Sequence, residues 1–428
     1  MREGAETYEV RPLQRPPDCS IHVPGSKSIT NRALLIAALA DGVSTLDGGL
    51  YSDDTTYMAE SWRRLGIRVE EDVAACRFRV YGCSGAIPAS SAELFAGNAG
   101  TAMRFLVAAL CLGHGHFRID GTPRMRERPI QDLADALIQL GAKMRCLSPG
   151  GCPPVEVDAG GLAGGAATID AAKSSQFLSA VLQVAPYAQR TVQLQVSGRL
   201  VAAPYIDMTI AVMSAFGVEV QRQGYEHFDI APQRYQARDY RIEPDASSAH
   251  YFFAAAALSG GRVRIDGLGK QSLQGDVRFA DVLEAMGAEV ARGDDFLEVR
   301  GRGSLKGIDV DMNAISDTAP TLAAIAPFAR SRVRIRNVAH LRLQESDRLK
   351  AVATELGRLG VAVTQHDDGL TIEPSAVHAA TIETYDDHRI AMSFALVGLC
   401  TAGIRIRDPQ CVRKTFPDYF ARLEELRR

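Results

Sequence analysis

The sequence predicts an α/β protein built from six similar repeats shared between two domains, and three observations carry that prediction. Six times a short polar segment runs directly into an alanine- and leucine-rich helix, at intervals of about 70 residues. A second helix in the repeat ends in a glycine and gives way to an alternating strand. At 428 residues the chain is also too long for one ordinary core.

The junctions are Lys27-Ser28-Ile29-Thr30-Asn31-Arg32, Asn98-Ala99-Gly100-Thr101, Lys173-Ser174-Ser175-Gln176, Asp245-Ala246-Ser247-Ser248, Ser316-Asp317-Thr318 and Asp386-Asp387-His388-Arg389. Each lies where a helix presents free backbone N–H groups and the positive end of its dipole, so each is a potential anion site. Ser, Thr, Asp and Asn are equally the ordinary helix caps. The cations alongside favour the anion reading. Lys27, Arg32, Arg104, Arg389 and the run Arg124-Met125-Arg126-Glu127-Arg128 gather charge that repels itself unless an anion neutralises it. A polyanionic small molecule is the expected ligand.

The second helices end at Leu65-Gly66-Ile67, Leu140-Gly141-Ala142, Phe216-Gly217-Val218, Met286-Gly287-Ala288 and Leu359-Gly360-Val361. The first helices exit into strands such as Gly261-Arg262-Val263-Arg264-Ile265-Asp266-Gly267, whose alternation marks one buried face. A repeat therefore reads strand, helix, strand, helix, strand, strand. The sixth copy is cut short at Leu426-Arg427-Arg428, which leaves its strand work to the stretch from Thr7 to Val23. The two chain ends then share a discontinuous lower domain, 1–24 with 244–428, and 25–243 form the upper one. Two crossings, at Val23-Pro24-Gly25 and Glu243-Pro244-Asp245, are expected to make a clamshell with limited hinges.

A net charge of −3 argues against a nucleic-acid binder relying on bulk basicity. No window has the length and purity of a membrane span, and Met1 to Pro17 has no apolar leader core, so a cytoplasmic protein without a membrane partner is expected. The eight cysteines include no C-x-x-C pair; reduced structural thiols are expected, and no metal.

The segments Pro24-Gly25-Ser26-Lys27-Ser28-Ile29-Thr30-Asn31-Arg32, Gly97-Asn98-Ala99-Gly100-Thr101-Ala102-Met103-Arg104 and Pro123-Arg124-Met125-Arg126-Glu127-Arg128-Pro129 resemble signatures of the 5-enolpyruvylshikimate-3-phosphate (EPSP) synthases. So do Gln344-Glu345-Ser346-Asp347-Arg348-Leu349, Asp387-His388-Arg389-Ile390-Ala391-Met392 and Lys414-Thr415-Phe416-Pro417-Asp418. The resemblance spans the chain in order. It implies two inside-out α/β domains, each of three βαβαββ-type repeats, and transfer of the enolpyruvyl group of phosphoenolpyruvate (PEP) to shikimate 3-phosphate without metal or cofactor.

Matched motif by motif, the resemblance implies PEP contacts from Lys27, Asn98, Gly100, Thr101, Arg128, Gln176, Arg348, Arg389 and Lys414. It implies acceptor contacts from Lys27, Ser28, Arg32, Ser174, Ser175, Gln176, Tyr205 and Asp317, with His340 and Gln344 at the acceptor positions that differ. The implied catalytic set is Asp317 as base, Glu345 as proton donor to carbon, Lys27 as relay and holder of the leaving phosphate, and His388 as a further participant.

Four positions depart from the pattern. Ala202 replaces a serine, Gln344 a lysine and His340 an asparagine, so the acceptor's phosphate pocket loses a hydroxyl and a full positive charge. Either Ser174 and Ser175, with Arg199 or His340, compensate, or the chain is a paralogue that keeps the PEP machinery and uses a different or non-phosphorylated acceptor. Phe105 stands after Arg104 where proline is usual, and a changed PEP turn and changed sensitivity to the inhibitor glyphosate are expected. Two other classes fit less well: the sister transferase acting on UDP-N-acetylglucosamine, and a non-catalytic anion binder. A monomer is expected.

Overall fold

The computed structural model describes residues 6–427, which form two compact domains. A middle domain comprises Gly25–Ile242, and a terminal domain combines the chain up to Pro24 with everything from Glu243 onward. Glu243 belongs to the terminal domain because its carboxylate accepts from Ser272 Oγ (2.7 Å), Leu273 N (3.0 Å) and Gln274 Nε2 (3.0 Å).

The middle domain has three four-stranded sheets of one design. In one, Ser91–Phe95 runs parallel to His114–Asp120, which pairs antiparallel with Cys152–Gly160, itself edged by Lys143–Ser148. The parallel pair flanks the helix Gly100–Leu110, as a crossover between parallel strands requires. Gly165–Asp170 and Val192–Ser197 flank Ser175–Val184 in the same way. In the third sheet the parallel partner of Val43–Asp47 is Asp239–Arg241, from the far end of the domain's sequence.

The helices that follow the polar junctions are the interior. All eleven residues of Gly100–Leu110 are buried, and Lys27–Leu39 is buried from Ile29 onward. From Ala33 and from Phe105 onward the two helices are apolar on every side and have to be enclosed; they pack on each other while Gly100–Leu110 also packs on Ser175–Val184. The sheets lie outside, with alternating strands such as Val192–Ser197 turning one face inward. The second helices stop at glycines with positive φ, among them Gly66 (+86°) and Gly287 (+106°), where a side chain would be strained.

The terminal domain repeats this plan around Ala246–Ser259, Ala319–Ile325 and His388–Gly398. The stretch from Thr7 to Val23 does not act as one piece. Thr7–Val10 pairs antiparallel with Ile404–Arg407 in the truncated last repeat, whereas Asp18–Ser20 joins Arg262–Asp266 in another sheet. The reason is topological. Asp239–Arg241, the strand leading toward the Ala246 helix, is used in the middle domain, and Asp18–Ser20 fills the edge it leaves.

The fifth junction differs from the expected helix start. Asn313–Thr318 forms a 3₁₀ turn with Ile315 out of helical geometry, and the α-helix begins only at Ala319. Asp317 therefore precedes the helix. Among the described residues, no helix is long and apolar enough to cross a membrane.

Candidate active site

The motifs assemble into two clusters, one in each domain. In the terminal domain the centre is Arg348, the first residue of the helix Arg348–Arg358 and 1% exposed. Its Nε donates to Asp387 Oδ2 at 2.9 Å, Nη2 to Glu345 Oε2 at 2.7 Å, and Nη1 to Asp317 Oδ1 at 3.2 Å. Arg389 Nη2 takes the other oxygen of Asp317 at 2.5 Å, and Lys414 Nζ lies 3.7 Å from Glu345 Oε1. Three cations thus interlock with three carboxylates in a largely dry site. Burial lowers the basicity of Arg348, but the three acids together outweigh it and hold its charge firmly.

Asp387 serves twice. As N-cap it accepts from Arg389 N at 3.0 Å, and its carboxylate also takes Ser346 Oγ at 2.9 Å. That one side chain fixes the start of the His388 helix against the Glu345-Ser346 loop. His388 is buried, with Nδ1 3.6 Å from Asp387 Oδ1. Asp317 remains one-quarter exposed, which leaves the implied base accessible.

His340 is buried beside this cluster, with Nε2 2.8 Å from Ser316 Oγ. Desolvation pushes its pKa down to about 4 against the opposing pull of Asp317, so it is neutral at pH 7 and replaces no lost cation. Gln344 is half-buried. Asp276, which the motifs did not single out, accepts from Ser247 Oγ; burial and the nearby charge of Asp317 push its pKa up to about 6.

In the middle domain Lys27 opens its helix, capped by Ser26, and Lys27 Nζ lies 3.2 Å from Asp54 Oδ2. Ser28 is half-buried beside it. Arg128 Nη1 donates to both Asn98 O (2.9 Å) and Asn98 Oδ1 (3.1 Å). A Cβ on Gly100 would stand 2.6 Å from Arg128 Nη2 and 3.0 Å from Arg104 Nη1, so only glycine lets both guanidinium groups sit against this helix start. Thr101 follows, buried. Ser174 caps its helix by accepting from Gln176 N at 3.2 Å, with Ser175 buried and Gln176 half-buried.

Arg32 turns inward. It is held by Thr209 Oγ1 (2.8 Å), the carbonyls of Ser28 (2.9 Å) and Tyr205 (3.2 Å), and Ser179 Oγ (3.3 Å). Desolvation brings its pKa down to about 10, still charged at neutral pH. The ring of Phe105 lies 5.2 Å from its guanidinium and that of Tyr205 5.8 Å. Ala202 is buried at φ +50°, and Arg199 is exposed.

The cations are less bare than their sequence clustering suggested. Arg126 pairs with Asp120, Arg124 with Glu127, Lys27 with Asp54 and Arg389 with Asp317. Two of these acids, Asp120 and Asp54, lie outside the motifs, and a pattern of adjacent residues does not reveal them. Phe105 is likewise not at the turn carrying Gly100: it is the sixth residue of that helix, and its ring meets Arg32.

The EPSP synthase (3-phosphoshikimate 1-carboxyvinyltransferase) family model matches residues 14–423. The 3-phosphoshikimate 1-carboxyvinyltransferase of Trichormus variabilis is 51% identical over 418 residues, covering 97% of this chain and 98% of that one. The enzyme of the same name from Shewanella denitrificans is 50% identical over 413 residues, covering 96% of each. Among solved structures, EPSP synthase from Acinetobacter baumannii superposes with a TM-score of 0.80 at 26% identity, covering 98% of both chains. The enolpyruvyl transferase NikO from Streptomyces tendae, at 20% identity and a TM-score of 0.77, shares the fold. With its motifs in order, its repeats around buried helices and relatives at half identity along its length, the chain belongs to the EPSP synthase family.

Proposed function

We propose that this chain transfers the enolpyruvyl group of PEP to the 5-hydroxyl of shikimate 3-phosphate and releases phosphate. The observation that carries the reading is the interlocked set Arg348, Arg389, Lys414, Asp317 and Glu345, in which anion-binding cations and both proton-transfer acids are held by one another.

Arg348, Arg389 and Lys414 receive the charged groups of PEP, and Arg348 brings a planar fork suited to carboxylate or phosphate. Asp317 takes the proton of the acceptor hydroxyl as its oxygen bonds to carbon 2 of PEP. Glu345 protonates the methylene carbon, giving a tetrahedral intermediate with a methyl group. In the second half the Glu345 carboxylate takes a proton back from the methyl group, the double bond re-forms, and the carbon–oxygen bond breaks with its electron pair leaving on phosphate. Lys27 and Arg128 in the middle domain are PEP cations in the same reading, with Lys27 also steadying the departing phosphate.

The altered-acceptor reading rests on Ala202, Gln344 and His340. Relatives at half identity whose name specifies 3-phosphoshikimate weigh against it. Phosphate release should require both PEP and shikimate 3-phosphate, and turnover with unphosphorylated shikimate alone would overturn the assignment. We also read the enzyme as a monomer; light scattering at assay concentration tests this.

A further inference from the structure

Asp54 lies outside every motif, yet its carboxylate is 2% exposed and meets Lys27 Nζ at 3.2 Å. It is the second residue of the helix Asp53–Arg64, where the free N–H groups and dipole favour a negative charge. The loop before it is latched to the Lys27 helix. Thr30 Oγ1 accepts from Leu50 N at 3.1 Å, Thr55 Oγ1 donates to Leu50 O at 2.8 Å, and Ser52 N donates back to Thr55 Oγ1 at 3.0 Å. Both ends of the ion pair are therefore anchored to one rigid frame.

A lysine has four rotatable bonds and no preferred orientation of its charge, so an ammonium that must meet a phosphoryl oxygen needs something to aim it. A buried ion pair adds little net stability over an apolar pair of the same volume, because desolvating two charges offsets their attraction. An acid retained at such a position is better explained by what it does to its partner. We propose that Asp54 is a positioning residue for Lys27: it confines the ammonium to one place and competes with the bound anion for it.

The inference rests on the function proposed for Lys27, but its first test needs no turnover. Acetic anhydride footprinting, read by peptide mass spectrometry on the substrate-free enzyme, should show Lys27 modified several times faster in Asp54→Asn, because its side chain is no longer held against the buried carboxylate. Asp54→Glu, which keeps the charge, should label at close to the wild-type rate. In steady state with PEP and shikimate 3-phosphate, Asp54→Asn should lower kcat by about 10- to 100-fold while the KM for PEP stays constant or falls. A merely structural role would raise KM and leave the labelling of Lys27 in step with other lysines. Unchanged labelling, or an unchanged kcat, would overturn the proposal. Wild-type turnover tests the function separately, because the footprint does not depend on it.

Discussion

Arg348 Nε and Asp387 Oδ2 are 2.9 Å apart, on side chains 1% and 0% exposed, and the same carboxylate caps the helix that carries Arg389. Removing the acid leaves a guanidinium buried with one fewer counter-charge. Asp387→Ala should therefore cost about 3–5 kcal/mol, the penalty for breaking a buried pair from one side. Urea unfolding would measure it. Because Arg389 and Arg348 both lose their anchor, the KM for PEP should rise in the same variant.

Much of the architecture was legible because it is local. A polar cap ahead of an apolar run and a glycine behind an amphipathic one are written in consecutive residues, as at Ser174-Ser175 and Leu65-Gly66. What was illegible depends on partners outside the motifs. Arg126 finds Asp120, and Lys27 finds Asp54, through packing that no motif spacing encodes. Phe105 follows the same rule: its neighbours in sequence are the PEP-turn residues, but its ring packs on Arg32. An effect of Phe105 on inhibitor sensitivity is accordingly best sought through Arg32. The division of the N-terminal stretch was hidden for another reason, since Thr7–Val10 and Asp18–Ser20 have similar strand character and only the sheets they complete tell them apart.

His340 makes stability depend on pH in a defined direction. Its folded pKa, about 4, lies below the ordinary 6.5, so as the pH falls the unfolded chain takes up this proton first. The contribution is complete above pH 6.5 and lost between 6.5 and 4, to a total on the order of 3 kcal/mol. Asp276 acts in the opposite sense, because its folded pKa of about 6 exceeds the ordinary 3.8. The difference between wild type and His340→Asn removes that background. The stability of wild type relative to His340→Asn should fall as the pH drops from 6.5 toward 4, and parallel profiles would show that the imidazole is not buried as described.

Gln344 offers a test of the acceptor pocket. Gln344→Lys should supply a charge-assisted phosphate contact worth about 1.5–3 kcal/mol, lowering the KM for shikimate 3-phosphate by roughly tenfold or more with kcat little changed. The gain should shrink as salt is added, since the position is only half-buried. An unchanged KM would mean that residue 344 does not approach the phosphate.

The turn leading into Asp387 is strained, and a tether outside the motifs holds it. Tyr385 (φ +57°) and Asp386 (φ +54°) occupy the left-handed region in succession without being glycine. Glu355, fully buried on the helix Arg348–Arg358, accepts from Tyr385 Oη at 2.7 Å and from Glu383 N at 3.1 Å. Such a conformation persists only where its surroundings enforce it. Tyr385→Phe keeps the ring and removes one restraint; because the tyrosine is 43% exposed, the stability loss should be only about 1 kcal/mol. The KM for PEP should nonetheless rise by about threefold to fivefold, because the turn sets where Asp387 places Arg348 and Arg389. Kinetics alongside urea unfolding separate the two effects: a stability loss without a change in KM would show that the tether stabilises the fold and leaves the arginines where they are.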